Sequence, residues 1–375
     1  MWKPQGIYAD FMLYQPTVLF GETALLGLST FPGARIAILC SDSLGEDIKE
    51  RLRFVFKKKS VFLIGRSWSG EPDIDGLAGS ISALEEVKPD VIIAIGGGSI
   101  IDGVKLCRLF YEFPYFKIGE TRLAQLPFKT KYIAIPTTVG SGAEASSAAV
   151  FLNSAKERKE MIISHDLQPS VIILDPDLVS SAPEKIMVSS ALDAVGHIVE
   201  GYVSNRNNKL TDIYAETALS ILYKEFLKKE IKERDYQRIQ YAGYLGGIVQ
   251  NHCIVGAAHA LAHQLTKYRF SHGEAVALLL PSVIKMNYED SLAKDKYNRL
   301  CDNAKIDSLS CLIDFIEMEL KRTGIADRNK ELKDILAKLI SDEEFIANAV
   351  NDMGGKGNPV PINKDYINRL VGEFL

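Results

Sequence analysis

An α/β N-terminal domain with a mostly parallel sheet, followed by an all-α C-terminal domain, is the fold class this sequence predicts. Three observations carry it. The first half alternates short apolar runs with helical patterns. Those runs are rich in β-branched residues and do not alternate with polar ones, which suits strands buried on both faces of a parallel sheet. Beyond about Pro183 the strand-like runs largely stop and apolar residues recur at helical spacing. The composition shift from Asp175-Pro176 to Pro183 marks the boundary, giving domains of residues 1–182 and 183–375.

In chain order the runs are Val18-Leu19-Phe20, Ile36 to Cys40, Val61 to Ile64, Val91 to Ile95, Tyr132 to Ile135 and Val171 to Leu174. Between them, Asp47 to Phe56 and Asp75 to Val87 read as covering helices, and strand–helix–strand repetition makes a layered α/β domain. In the second half, Ala215, Ala218, Leu219, Leu222 and Phe226 follow helical spacing, as do stretches near 235–250, 254–267, 308–322 and 330–350. No internal repeat or low-complexity segment is visible.

Composition excludes several classes of function. Lys+Arg number 44 against 48 Asp+Glu, a net charge of −4 without the basic excess of a nucleic-acid binder. No stretch approaches the ~18–20 apolar residues of a membrane span, and Met1-Trp2-Lys3-Pro4-Gln5 lacks the order of a secretory signal. Cys40, Cys107, Cys253, Cys301 and Cys311 are odd in number and widely spaced, which points to free thiols in a cytoplasmic setting.

Val91 to Ile95 runs into Gly96-Gly97-Gly98-Ser99 and then into a helical stretch, Ile100 to Leu109. Glycines there let backbone approach a ligand, and free N–H groups at a helix start favour an anion such as a pyrophosphate. A tight structural turn explains the segment as well, since GxGxxG is absent. A second small-residue turn, Pro136 to Gly142, follows the next run, and two turns at neighbouring strand ends favour a nucleotide. Asp42, after the run Ile36 to Cys40, is placed to accept ribose hydroxyls or simply to cap a turn.

The six histidines are His165, His197, His252, His259, His263 and His272. Asp193 and His197 are four apart in one helical stretch, and His259 and His263 four apart in another, so each pair shares a helix face. A carboxylate and imidazoles converging from separate elements suit a divalent transition metal. Spacing does not decide between His259 and His263 as ligands. His165 and His252 have no such partner and read as structural.

These segments together resemble the iron-containing, or group III, alcohol dehydrogenase family over nearly the whole length. Pro16 to Gly21 resembles its first strand. Gly96 to Asp102 matches its GGGSxxD motif. Thr137 to Glu144 resembles its TTxGTGSE loop. Asp193, His197, His259, His263 and His272 match its metal and catalytic segment, and Asn358-Pro359 its terminal NP. The resemblance implies one divalent metal, iron or zinc, held by Asp193, His197, His259 and His272, with His263 as a proton relay. It implies a nicotinamide cofactor on Gly97, Gly98, Ser99, Asp102, Thr137, Thr138, Ser141 and Lys159, with Asp42 favouring NAD over NADP. It implies a small alcohol or aldehyde substrate and a homodimer. Lys267 and Arg269 read as exposed loop cations, or as contacts for an anionic aldehyde.

The chain departs from the family pattern at Glu71 (often Asn), Ser141 (Thr), Ala143 (Ser) and Ser271 (Pro). The His272-to-Ala277 segment also resembles the dehydroquinate synthases, which makes a sugar-phosphate cyclase one alternative. A non-catalytic nucleotide- or metal-binding protein is another.

Overall fold

The computed structural model describes residues 15–41, 44–57, 59–118, 126–154, 158–228 and 231–374. Eight strands are present among them: β1 (Thr17–Phe20), β2 (Arg35–Cys40), β3 (Ser60–Gly65), β4 (Val91–Gly96), β5 (Lys131–Pro136), β6 (Ala148–Asn153), β7 (Arg158–Ile163) and β8 (Val171–Leu174). Six form one sheet in the order β1-β8-β5-β4-β2-β3, with every pairing parallel. The six apolar runs of the sequence are these six strands. Their lack of alternation follows from coverage on both faces. Ile36, Ile38, Ile93, Ile95, Ile133 and Ile135 pack with Leu25, Leu52 and Val55 on one face. Ala37, Leu39, Ile92, Ala94 and Tyr132 pack with Leu84, Ile101 and Val104 on the other. Helices α1 (Glu46–Val55), α2 (Ala78–Val87) and α3 (Gly98–Glu112) supply most of that cover.

The chain runs from β2 outward to β3, then returns to place β4 on the other side of β2. That reversal is a topological switch point, and ligands of open α/β sheets lie outside the carboxyl ends of strands there. The glycine turn after β4 sits at this place.

The antiparallel pair β6–β7 was not legible as strands. β6 does carry an apolar run, Ala148 to Leu152, but only Ala149 and Phe151 of it are buried, and β7 opens on Arg158-Lys159-Glu160, so its apolar part is confined to Met161 to Ile163. The ribbon packs on α3.

From Pro176 on, the described residues form helices: α4 (Pro176–Ser180), α5 (Glu184–Val203), α6 (Lys209–Phe226), α7 (Tyr236–Cys253), α8 (Ala257–Leu265), α9 (His272–Asn287), α10 (Ser291–Ala304), α11 (Leu309–Arg322), α12 (Asn329–Leu339), α13 (Glu343–Asn351) and α14 (Lys364–Phe374). The periodic stretch near 330–350 is two helices, because Asp342 caps a new start at Glu344 and Phe345. Helix α5 lies at the centre, packed by α6, α7 and α9, with sixteen of its twenty residues buried. A helix buried on all sides has no room for charge without a purpose, yet α5 carries Asp193, His197 and Glu200.

Candidate active site and metal centre

A cleft of about 460 Å³ runs from the β4–α3 turn to the centre of the helical region, a size usual for small-molecule sites. At its sheet end, α3 starts at Gly98 after Gly97, which offers no capping side chain, so the first N–H groups of a fifteen-residue helix lie at the cleft. Gly98 is required here: a Cβ would lie 2.6 Å from the Cβ of Ser141 in the neighbouring turn. Ser99, Asp102, Thr138 and Ser141 line the same end, and Lys159 lines the cleft from β7, near enough to His272 for its charge to act on that ring. Asp102 accepts from Lys105 Nζ at 3.0 Å and from the Val150 N–H at 3.2 Å.

At the other end, Asp193 and His197 project from α5, His259 and His263 from α8, and His272 from the start of α9. Ligand atoms of Asp193, His197 and His259 lie within 4.8 Å of one another. His272 Nε2 is 3.7 Å from Asp193 Oδ1. The rings of His197 and His259 stack with centroids 4.5 Å apart, and those of His263 and His272 at 5.2 Å. Gly273 permits the approach of α9 to α5, since a Cβ there would meet the Ser189 carbonyl oxygen at 2.6 Å and Asp193 Cβ at 3.5 Å.

Asp193 Oδ1, both nitrogens of His197, His259 Nε2 and His272 Nδ1 are buried without a hydrogen-bond partner among the described residues. Buried polar groups are almost always paired, so five such atoms in one pocket mark a missing partner. A carboxylate and imidazoles are a donor set that a divalent transition metal satisfies.

Other contacts organise the donors. His259 Nδ1 lies 2.5 Å from Glu200 Oε2, and the same carboxylate accepts the N–H groups of Gly256 (3.1 Å) and Ala258 (2.7 Å). With Nδ1–H given to Glu200, Nε2 is the nitrogen that turns toward the cluster, and its lone pair becomes available once it gives up its proton. Asn358 Oδ1 accepts the Ala257 N–H at 3.2 Å and Asn287 Nδ2 at 3.0 Å, so the Asn358-Pro359 segment caps the histidine helix. Ser271 and Glu274 form a capping box at α9, the local consequence of serine before His272. His263 Nδ1 meets Asp352 at 3.0 and 3.1 Å.

Burial disfavours charge on every member, and the neighbours decide the outcome. Burial would raise the Asp193 carboxyl, but His272, His197 and His259 hold it below its ordinary range. Burial pushes His197 down to about 3 and His272 well below its usual value, so both rings are neutral donors at pH 7. For His259, the neighbouring Asp193 and Glu200 carboxylates outweigh burial and lift it to about 9, so a bound ion would displace a proton from Nε2.

Residues 16–176 match the family model "iron-containing alcohol dehydrogenase", and residues 187–374 match that of the family's C-terminal domain. The chain belongs to the iron-containing alcohol dehydrogenases. It is 30% identical over 378 residues to the 1-propanol dehydrogenase PduQ of Citrobacter freundii, covering 96% of this chain and 98% of that protein. It is 27% identical over 311 residues to an NADPH-dependent butanol dehydrogenase of Clostridium saccharobutylicum, covering 80% of each. The fold matches the iron-containing alcohol dehydrogenase of Thermococcus thioreducens with a TM-score of 0.86 and 26% identity, over 97% of this chain and 99% of that one. It also matches a sulfoacetaldehyde reductase of Bifidobacterium kashiwanohense in complex with NAD+, at 0.83 and 21%, over 97% and 99%. None of these gives the sugar-phosphate cyclase reading support.

Within this iron-containing alcohol dehydrogenase, the structure brings Gly97, Gly98, Ser99, Asp102, Thr138, Ser141, Lys159, Asp193, His197, His259, His263 and His272 to one cleft. It does not bring Thr137 to the lining, and the Thr137 N–H is tied to the Gly96 carbonyl at 3.1 Å. Lys267 and Arg269 do not line the cleft either, and the Lys267 ammonium lies 5.4 Å from the Tyr268 ring. Asp42 lies outside the described residues. Sequence reasoning missed Glu200 and Asp352. Glu200 was findable, since 193, 197 and 200 share one helix stripe. Asp352 stands 89 residues from its histidine, with no local signal. Among the described residues no helix is long and apolar enough to cross a membrane.

Proposed function

We propose that this chain interconverts a small neutral alcohol and its aldehyde, with NAD as redox partner and one divalent ion, iron or zinc, in the histidine cluster. The observation that carries the reading is the set of orphaned donor atoms at the far end of a cleft that begins at an uncapped helix. Asp193, His197, His259 and His272 would hold the ion, which supplies Lewis-acid polarisation of the substrate oxygen.

The chain's own residues do the rest. The amides opening α3 bind the pyrophosphate, and Thr138 and Ser141 line the path toward the cluster. Together these residues would hold a nicotinamide cofactor, which would supply the hydride chemistry. Asp352 fixes the His263 ring through Nδ1, which leaves Nε2 to accept the alcohol proton, or to return it in the reverse direction. NAD over NADP follows from Asp42 after β2, whose carboxylate would repel a 2′-phosphate. A neutral substrate is favoured because neither Lys267 nor Arg269 lines the cleft.

The test is metal analysis of the purified chain, with an NADH-linked screen of small aldehydes on wild type and His263→Ala. We expect about one ion per chain, NADH oxidation with C2–C4 aldehydes, and a His263→Ala variant that keeps its metal but turns over about 10²-fold more slowly. Loss of the metal from that variant would overturn the assigned role. Phosphate release without NADH consumption would favour the cyclase.

A further inference from the structure

The described residues lining the cleft include three carboxylates, Glu71, Asp102 and Asp193, and one lysine or arginine, Lys159. Asp102 is committed to Lys105 and the Val150 N–H, and Asp193 to the histidine cluster. Glu71 has Lys159: Oε1 and Nζ lie 2.8 Å apart. The pair is built in. The Lys159 side chain is 6% exposed and that of Glu71 28%. The backbone around Glu71 is stitched to the β6–β7 ribbon that carries Lys159, through a bridge between Asp73 and Leu152 and the Leu152 N–H on the Pro72 carbonyl at 2.8 Å. Half-buried charges held this way are less screened than surface pairs.

Among the described residues the cleft therefore offers an incoming anion one lysine or arginine, and the Glu71 carboxylate already neutralises it. We propose that Glu71 is an internal competitor for Lys159, setting how tightly the dinucleotide binds and how fast it leaves. This rests on the nicotinamide-dinucleotide reading above. The pyrophosphate must share or displace the Glu71 carboxylate to engage the ammonium, so part of the attraction is spent on breaking the resident pair. Glu71 acts through Lys159 and is a positioning residue. A dehydrogenase that exchanges its cofactor every turnover gains from this, since release often limits the rate.

Direct binding tests it without relying on turnover. NADH is titrated by nicotinamide fluorescence, and ADP-ribose and adenosine by calorimetry, on wild type, Glu71→Gln, Lys159→Met and the double variant. We expect Glu71→Gln to bind NADH and ADP-ribose about 3- to 10-fold more tightly, with slower dissociation. Adenosine, lacking phosphate, is expected to be unaffected. Lys159→Met weakens binding, and in that background Glu71→Gln has no further effect. Unchanged or weaker NADH binding by Glu71→Gln, or the same gain without Lys159, overturns the proposal. A wild-type chain that binds neither NADH nor ADP-ribose overturns the cofactor reading as well. Wild-type binding with a silent Glu71→Gln overturns only the role of Glu71.

Discussion

Two buried charged clusters border the same cleft, one in the sheet half and one in the helical half, and they differ in how they are satisfied. Lys105 is fully buried, and its ammonium reaches Asp102 Oδ1 at 3.0 Å and the carbonyls of Ala143 (2.7 Å), Ser146 (3.1 Å) and Ala148 (2.5 Å). That set is closed, and it pins the turn after β5 and the start of β6 to α3. The cluster of Asp193, His197, His259 and His272 is comparably buried and leaves five atoms without partners among the described residues. Buried charge by itself does not mark a site, because ion pairs also serve architecture. Unsatisfied buried donors aimed at one another do mark one, because architecture gains nothing from them.

The sharpest way to break this contrast is His197→Ala. In the open cluster it removes two orphaned nitrogens, so bound metal and turnover should be lost together, with turnover falling by more than about 10³-fold. The metal-free variant should unfold no more easily than metal-free wild type. Retained metal with normal turnover would remove the basis for calling this cluster open.

Lys105→Met is the counterpart in the closed cluster. It strands a carboxylate and three carbonyls, so urea unfolding should show a loss of about 3–5 kcal/mol. A loss below about 1 kcal/mol would mean the lysine network is not structural.

Glu144, buried beside Lys105, sharpens the contrast through pH. Burial raises its carboxyl from 4.5 to about 7 in the folded state. Between those values the folded chain keeps a proton that the unfolded chain has released, so stability falls as pH rises through the window. Glu144→Gln should be neutral below pH 4.5 and stabilising above pH 7, by up to about 3 kcal/mol. Thermal melts at pH 4 and pH 8 that shift equally would contradict the assignment.

The smallest expected effect joins the two rules. Glu200 is fully satisfied and exists to orient an unsatisfied ring. Glu200→Gln should weaken metal affinity by about 10- to 100-fold, measured by chelator competition, without abolishing binding.

Much of this was legible without coordinates. Val91 to Ile95 and its companions could be read as strands because burial on both faces leaves an unbroken apolar run. Asp193 with His197, and His259 with His263, could be read as shared faces because helical spacing is fixed by covalent geometry. The β6–β7 ribbon escaped although Ala148 to Leu152 is apolar, because its partner strand opens on three charged residues, Arg158-Lys159-Glu160. Thr137 was expected on the cleft with Thr138, but neighbouring residues of a turn point in different directions, and only the fold shows which one reaches inside.

The sequence by itself determined the order of layers, the two chemistry-bearing helices and the identity of the donors. The layers and helices follow from local periodicity, which acts over a few residues, whereas the choice of His259 over His263 as a donor came only from the family resemblance. The tertiary structure alone decided that Glu200 fixes one imidazole, that Asp352 reaches a histidine 89 residues away, and that Glu71 faces Lys159 across the cleft. Those pairings join segments whose separation in the chain carries no information about distance in space, so only packing could set them.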